Sequence, residues 1–209
     1  MTNIGSILMI VAAYLLGAIP WGVVLGRVIK GIDIRTYGSG GTGATNSLRV
    51  LGWPISISVF ALDFAKGLLP VVFARWIDLP DWAIAFTAVA TVVGHCWSPY
   101  IKLRGGKGMA TGGGAAVGLL PWLFVLIVLI VAVVFVTRYV SLASLITAIV
   151  GPVIVVILAL MNDFPAWWAA AIVAIGAIII VQHRGNINRL LHGSERKFGG
   201  RETPTAKSA

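Results

Sequence analysis

The sequence predicts an all-α integral membrane protein with seven transmembrane or half-spanning helices, the N-terminus outside and the C-terminus in the cytoplasm. Three observations carry this prediction. Of 209 residues, 58% are hydrophobic and only 11% charged, whereas a soluble domain needs roughly 25% charged residues to solvate its surface. Mean hydropathy is +0.96. Six continuous apolar runs, at residues 4–25, 54–76, 82–100, 112–136, 139–161 and 166–182, approach or exceed the ~20 residues that carry a helix across about 30 Å of hydrocarbon. Helices follow because a lone spanning helix satisfies its own backbone, whereas strands must close into a barrel.

The first run lacks the basic leader of a signal peptide and contains Gly17 and Pro20, so it reads as a retained span. The second contains Asp63 and Lys66, three residues apart on one helical face, which fits a mutually neutralised buried pair. The third ends near His95 and Cys96; a single cysteine excludes an internal disulfide and reads as a small buried apolar residue. The last two runs contain no charge.

The charge balance is 16 Lys and Arg minus 7 Asp and Glu, or +9. Nucleic acid is not needed to explain it, because cytoplasmic loops of membrane proteins are rich in Lys and Arg. Arg27, Lys30, Arg35 and Arg49 follow the first run, Lys102, Arg104 and Lys107 follow the third, and Arg184, Arg189, Arg196, Lys197, Arg201 and Lys207 follow the last. All three segments are therefore expected in the cytoplasm, and the turns at 78–81 and 162–163 outside. An odd number of crossings must then separate Lys107 from Asn162, yet two apolar runs lie between them. Pro121 resolves the conflict by splitting 105–136 into a short helix ending near Leu119 and a second from 121 to 138. Such a broken pair, tolerated at membrane depth where it lines a cavity, gives seven segments. Residues 1–197 are read as one domain and 198–209 as a flexible cytoplasmic tail.

Three polar segments carry the candidate chemistry. The first contains Gly38, Ser39, Gly40, Gly41, Thr42, Gly43, Thr45, Asn46 and Arg49. Its glycines let a turn converge on an anion, and the stretch 44–51 is expected to form a helix whose N-terminus favours negative charge. The second contains Gly94 and His95, then Gly105, Gly106, Lys107, Gly108 and Thr111. Gly-Gly-Lys-Gly opening a helix resembles phosphate cradles in general, but the spacing is not that of a nucleotide-binding P-loop, which argues against ATP hydrolysis. His95 reads as either a packing or hydrogen-bonding residue or a catalyst, and 112–114 as either part of this cradle or a close helix-packing face. In the third, His183 and Asn186 share one helical face, Arg189 follows, and Glu195 reads as a structural ion-pair partner. No His, Cys or carboxylate cluster has metal-ligand spacing, so neither metal nor cofactor is expected.

Taken in order, these segments resemble the three motifs of the bacterial acyl-phosphate:glycerol-3-phosphate acyltransferase family (PlsY). Gly38-Ser39-Gly40, Gly43-Ala44-Thr45-Asn46 and Arg49 meet the first; Gly94-His95, Gly105-Gly106-Lys107-Gly108 and Ala110-Thr111 the second; His183, Asn186-Ile187, Arg189-Leu190, Gly193, Glu195 and Lys197 the third. Gly41 stands where the family usually has Asn. The resemblance implies a multi-pass enzyme of the bacterial cytoplasmic membrane, with its site facing the cytoplasm, that transfers a fatty acyl group from acyl-phosphate to the 1-position of sn-glycerol 3-phosphate. The products are lysophosphatidic acid and phosphate, in the first acylation step of phospholipid synthesis.

Essential roles would fall on Ser39, Arg49, Lys107, His183 and Asn186. Substrate contacts would fall on Gly38, Gly40, Gly43, Thr45, Asn46, His95, Gly105, Gly106, Gly108, Thr111 and Arg189. The partners implied are the two substrates and membrane lipid; the oligomeric state is not fixed, and a monomer is compatible with the sequence. Two alternatives stay open: His183 as general base rather than orienting group, and a transporter for an organic phosphate, whose midplane sites are also built from helix N-termini.

Overall fold

A computed structural model describes residues 3–161 and 164–199. The 162–163 turn and most of the 198–209 tail lie outside the described residues. The elements are helical throughout: α1 (Asn3–Gly17), α2 (Trp21–Lys30), α3 (Ala44–Leu51), α4 (Trp53–Trp76), α5 (Asp81–Cys96), α6 (Met109–Leu119), α7 (Leu126–Thr137), α8 (Val140–Met161), α9 (Ala166–Gln182) and α10 (Arg184–Leu191). Among the described residues, three helical segments, Trp53–Trp76, Asp81–Ile101 and Val140–Met161, are long and apolar enough to cross a membrane alone. Two bent pairs, α1 with α2 and α9 with α10, raise that number to five; α6 and the shorter apolar segment Pro121–Thr137 complete the bundle.

The first run is not the straight span that its composition suggests. Its helix stops at Gly17 and resumes at Trp21 after a 41° bend, because Pro20 has no N–H to continue the ladder. The break at Pro121 falls where the parity argument places it: α6 ends at Leu119, a short 3-10 turn spans Pro121–Val125, and α7 follows.

Packing relies on backbone approach. A Cβ at Gly67 would lie 2.0 Å from the Thr111 carbonyl oxygen, and one at Gly114 2.0 Å from that of Phe64, so α4 and α6 touch main chain to main chain. Gly17 and Gly94 do the same for α1 and α5, against Thr91 and Tyr14. Small residues at such contacts are the expected solution where lipid removes the hydrophobic drive between helices. The outward faces are large and apolar: Phe135 is 86% exposed, and no residue of α7 is buried.

A helix as short as α6 ends inside the bundle, and its last carbonyls need donors. Arg75 supplies them. Its Nη1 donates to Gly118 O at 2.8 Å and Leu119 O at 3.2 Å, while its guanidinium lies 5.0 Å from the Trp168 ring centroid. Arg75→Leu leaves two buried acceptors unmet, at a cost of about 1–3 kcal/mol. The expected result is a clearly lower Tm in detergent, with Arg75→Lys intermediate; an unchanged Tm in Arg75→Leu would remove this cap from the account.

Candidate active site

The site lies where α3 and α6 begin and α5 and α9 end. In the first segment Gly38 and Gly40 adopt φ of 54° and 74°, left-handed values that favour glycine. Asn46, 3% exposed, holds this loop. Its Oδ1 accepts from Ser39 N (2.9 Å) and Ser39 Oγ (3.1 Å), and its Nδ2 donates to Ile34 O and Gly41 O, both at 2.9 Å. That fills the amide's hydrogen-bonding capacity, so Asn46 shapes the loop from inside. Ser39's N–H is likewise taken, and its hydroxyl proton points to the same Asn46 Oδ1, so the hydroxyl can donate to an outside anion only by turning away from Asn46. A Cβ at Gly41 would lie 3.5 Å from Ser39 Oγ and meet nothing else within 4 Å; a side chain there would cover Ser39. Gly43 caps α3, which carries Thr45 and, one turn on, Arg49.

In the second segment the chain returns over the end of α5. Gly105 N donates to Cys96 O (3.0 Å) and Gly106 N to His95 O (3.1 Å). These two amides therefore do not converge on an outside anion, as the motif alone suggested; they cap α5. The glycines are required by closeness: a Cβ at Gly105 would lie 2.0 Å from His95 O, and one at Gly106 2.2 Å from His95 Nε2 and 3.0 Å from Thr42 Oγ1. Thr42 thus joins the first segment to the second, a contact between distant residues that their spacing did not signal. His95 is buried beneath the turn. Gly108 (φ 81°) opens α6, and Thr111 is fully buried with its hydroxyl unpartnered among the described residues.

Lys107, between the turn and α6, lies within electrostatic reach of Arg49, Arg189 and Glu195. Desolvation lowers its pKa to about 8, Arg49 and Arg189 add to the lowering, and Glu195 opposes it. Three cations against one carboxylate make a local excess of positive charge.

The third segment supplies the other wall. His183, 3% exposed, sits at the 58° bend between α9 and α10. Its Nδ1 lies 2.8 Å from Ile179 O; a carbonyl only accepts, so Nδ1 carries the proton and Nε2 keeps a lone pair. Glu195 is a hub, accepting from Ser141 Oγ (2.8 Å), Asn186 Nδ2 (2.6 Å) and Arg189 Nε (2.7 Å). Burial works to raise its pKa, and these donors hold it below the usual carboxylate range. Asn186 is thereby oriented, with its Oδ1 unengaged among the described residues. Ser141, 54 residues away in sequence, was not singled out because nothing local marks it. Beyond Glu195 the chain continues to Phe198, whose carbonyl accepts from Arg138 (3.0 Å) and whose ring lies edge-on to Trp53.

An apolar groove adjoins this cluster. It is partly open to the surroundings, and its lining includes Met109 and Gly112 of α6, Ile127 of α7, Gly151 of α8 and Ile179 of α9. Met109 follows Gly108, and Ile179 is the residue that fixes His183.

An apolar helical bundle with three helical segments long enough to span a bilayer alone among the described residues, and with an apolar groove among its helices, is that of an integral membrane protein. The model of the glycerol-3-phosphate acyltransferase family matches residues 7–193, and the chain belongs to that family. The glycerol-3-phosphate acyltransferases of Rubrobacter xylanophilus and Geotalea daltonii are 37% and 40% identical to it, over 94% and 92% of this chain and 96% and 97% of theirs. The crystal structure of PlsY (YgiH), an integral membrane glycerol 3-phosphate acyltransferase, in its glycerol 3-phosphate form is similar, with a TM-score of 0.87 at 37% identity over 93% of this chain and 96% of that one. Its lysphosphatidic acid form gives a TM-score of 0.85 at 36% identity, with the same coverage. These matches give the transporter alternative no support.

Proposed function

We propose that the protein transfers a fatty acyl group from an acyl-phosphate to the 1-hydroxyl of sn-glycerol 3-phosphate, releasing lysophosphatidic acid and inorganic phosphate. The observation that carries this reading is an apolar groove whose lining includes Met109, two residues after Lys107, and Ile179, whose carbonyl fixes His183: phosphates sit among Arg49, Lys107 and the Ser39 loop while an acyl tail lies along 112–127. The basic loops argue that this end faces the cytoplasm.

An acyl-phosphate is already an activated anhydride, so no protein nucleophile is needed. The acceptor oxygen attacks the carbonyl, its ester bond forms, the carbonyl–phosphate bond breaks, and the hydroxyl proton passes to a substrate phosphate oxygen. Positioning and charge stabilisation supply the acceleration. His183 Nε2 and Asn186 Oδ1 orient the acceptor's hydroxyls, and Arg189 and Glu195 hold Asn186 in place.

Purified protein in detergent, given palmitoyl phosphate and glycerol 3-phosphate, should form lysophosphatidic acid with equimolar phosphate and give none with palmitoyl-CoA. No product from the acyl-phosphate overturns the reading. His183→Gln should retain more than a tenth of kcat, since a true general base contributes on the order of 10² or more; a loss of 10² would transfer the proton to His183. Because Lys107 must be charged to hold phosphate, kcat/KM should fall about tenfold per pH unit above its pKa of about 8. Lys107→Arg should move that limb to higher pH, and an unmoved limb would assign it to another group.

A further inference from the structure

The cluster least explained by this chemistry lies behind the site. Asp63 and Lys66 of α4 are 1% and 7% exposed, yet neither lines the apolar groove. Lys66 Nζ lies 2.7 Å from Asp63 Oδ1 and donates to Ile19 O at 2.6 Å, in the break between α1 and α2. The same Asp63 oxygen lies 3.7 Å from Nδ1 of His95. That is beyond a hydrogen bond, but a small ring movement would close it.

His95 in turn touches the site from beneath. Its carbonyl accepts from Gly106 N, and its Nε2 backs onto the Gly106 Cα, which Thr42 Oγ1 flanks as well. A continuous path of contacts thus runs from Ile19 through Lys66, Asp63 and His95 to Gly105 and Gly106, and meets the first loop at Thr42. Lys107 is the next residue. Buried ion pairs add little stability over apolar replacements of the same volume, but their geometry is restrictive, and inside a membrane bundle an ionisable residue marks function by default. A rigid support under the turn is a role that an apolar pair would not fill.

We propose that Asp63 and Lys66 are positioning residues of this enzyme: with His95 they form a buried strut that fixes the Gly105–Gly106 turn, and so sets Lys107 against the substrate phosphate. The role in catalysis rests on the acyltransfer reading above; the fixing of the turn does not.

The test uses the full chain in detergent. Asp63→Asn combined with Lys66→Met removes both charges at near-constant volume and leaves no unpaired buried ion. Relative to the parent, kcat for acyl transfer from palmitoyl phosphate should fall at least tenfold. Hydrogen exchange at the Gly105 and Gly106 amides should speed up at least tenfold, while the α4 and α5 amides are unchanged. If kcat stays within threefold, or exchange at the two glycines is unaltered, the strut is overturned. If the double variant does not fold, His95→Gln and His95→Leu carry the exchange comparison alone: Gln, whose amide can donate to Asp63, should keep slow exchange at Gly105 and Gly106, Leu should not, and equal exchange in the two overturns the proposal. A parent that makes no lysophosphatidic acid defeats the functional reading instead, and the exchange measurement still decides the strut.

Discussion

Lys107→Met is expected to lower kcat/KM by about 10²–10³-fold, the range measured when one charge-stabilising donor is removed from a preorganised site. Lys107 is the cation nearest the start of α6, and it is crowded by Arg49 and Arg189. That crowding distinguishes a functional loss from a structural one. Burial and like charges lower its pKa, so at pH 7, below the folded value of about 8, the charged ammonium is held in the folded state at a cost in stability. Removing it relieves that cost, and Tm should be unchanged or slightly raised while activity falls. A variant retaining a tenth of kcat/KM would show that Lys107 does not hold the reacting phosphate, and a variant that is both inactive and unstable would indicate that it supports the fold.

Gly105→Ala should cost about 10²-fold in kcat, the scale associated with roughly 1 Å of misplacement at a reacting centre. The added Cβ would stand 2.0 Å from His95 O and 2.7 Å from Cys96 O. Both are main-chain atoms at the end of a packed helix, so the turn must move rather than its neighbour. Gly106→Ala should be damaged comparably, because there the nearest atom is the His95 ring at 2.2 Å, which is buried beneath the turn. A Gly106 variant with parental kcat would mean that the His95 ring gives way.

Much of the fold was legible because the apolar runs dictate it. Four of them became α4, the segment Asp81–Ile101, α8 and α9 with ends within one residue of the sequence reading, since Pro, Gly and acidic turns bound them. The α3 boundaries and the start of α6 were legible for a related reason: Gly43 and Gly108 are helix caps visible as letters. The bend after Gly17 was not, because the apolar composition continues through Pro20 without a change that marks where the helix breaks. Nor was Arg75, which a reading by loop charge treats as an ordinary helix-end cation but which caps α6 43 residues away.

The candidate site divides in the same way. The sequence by itself determined an all-helical membrane protein, the three polar segments and the resemblance they carry, because composition, periodicity and local motifs are properties of neighbouring residues. Only the tertiary structure decided how those residues are used. It turned the Gly105 and Gly106 amides onto α5, enclosed Asn46 within its own loop, brought Ser141 to Glu195, and placed Asp63 and Lys66 behind His95. Each of these depends on which backbones approach within a few ångströms across the bundle. That is set by small-residue packing between helices far apart in the chain, and no local pattern records it.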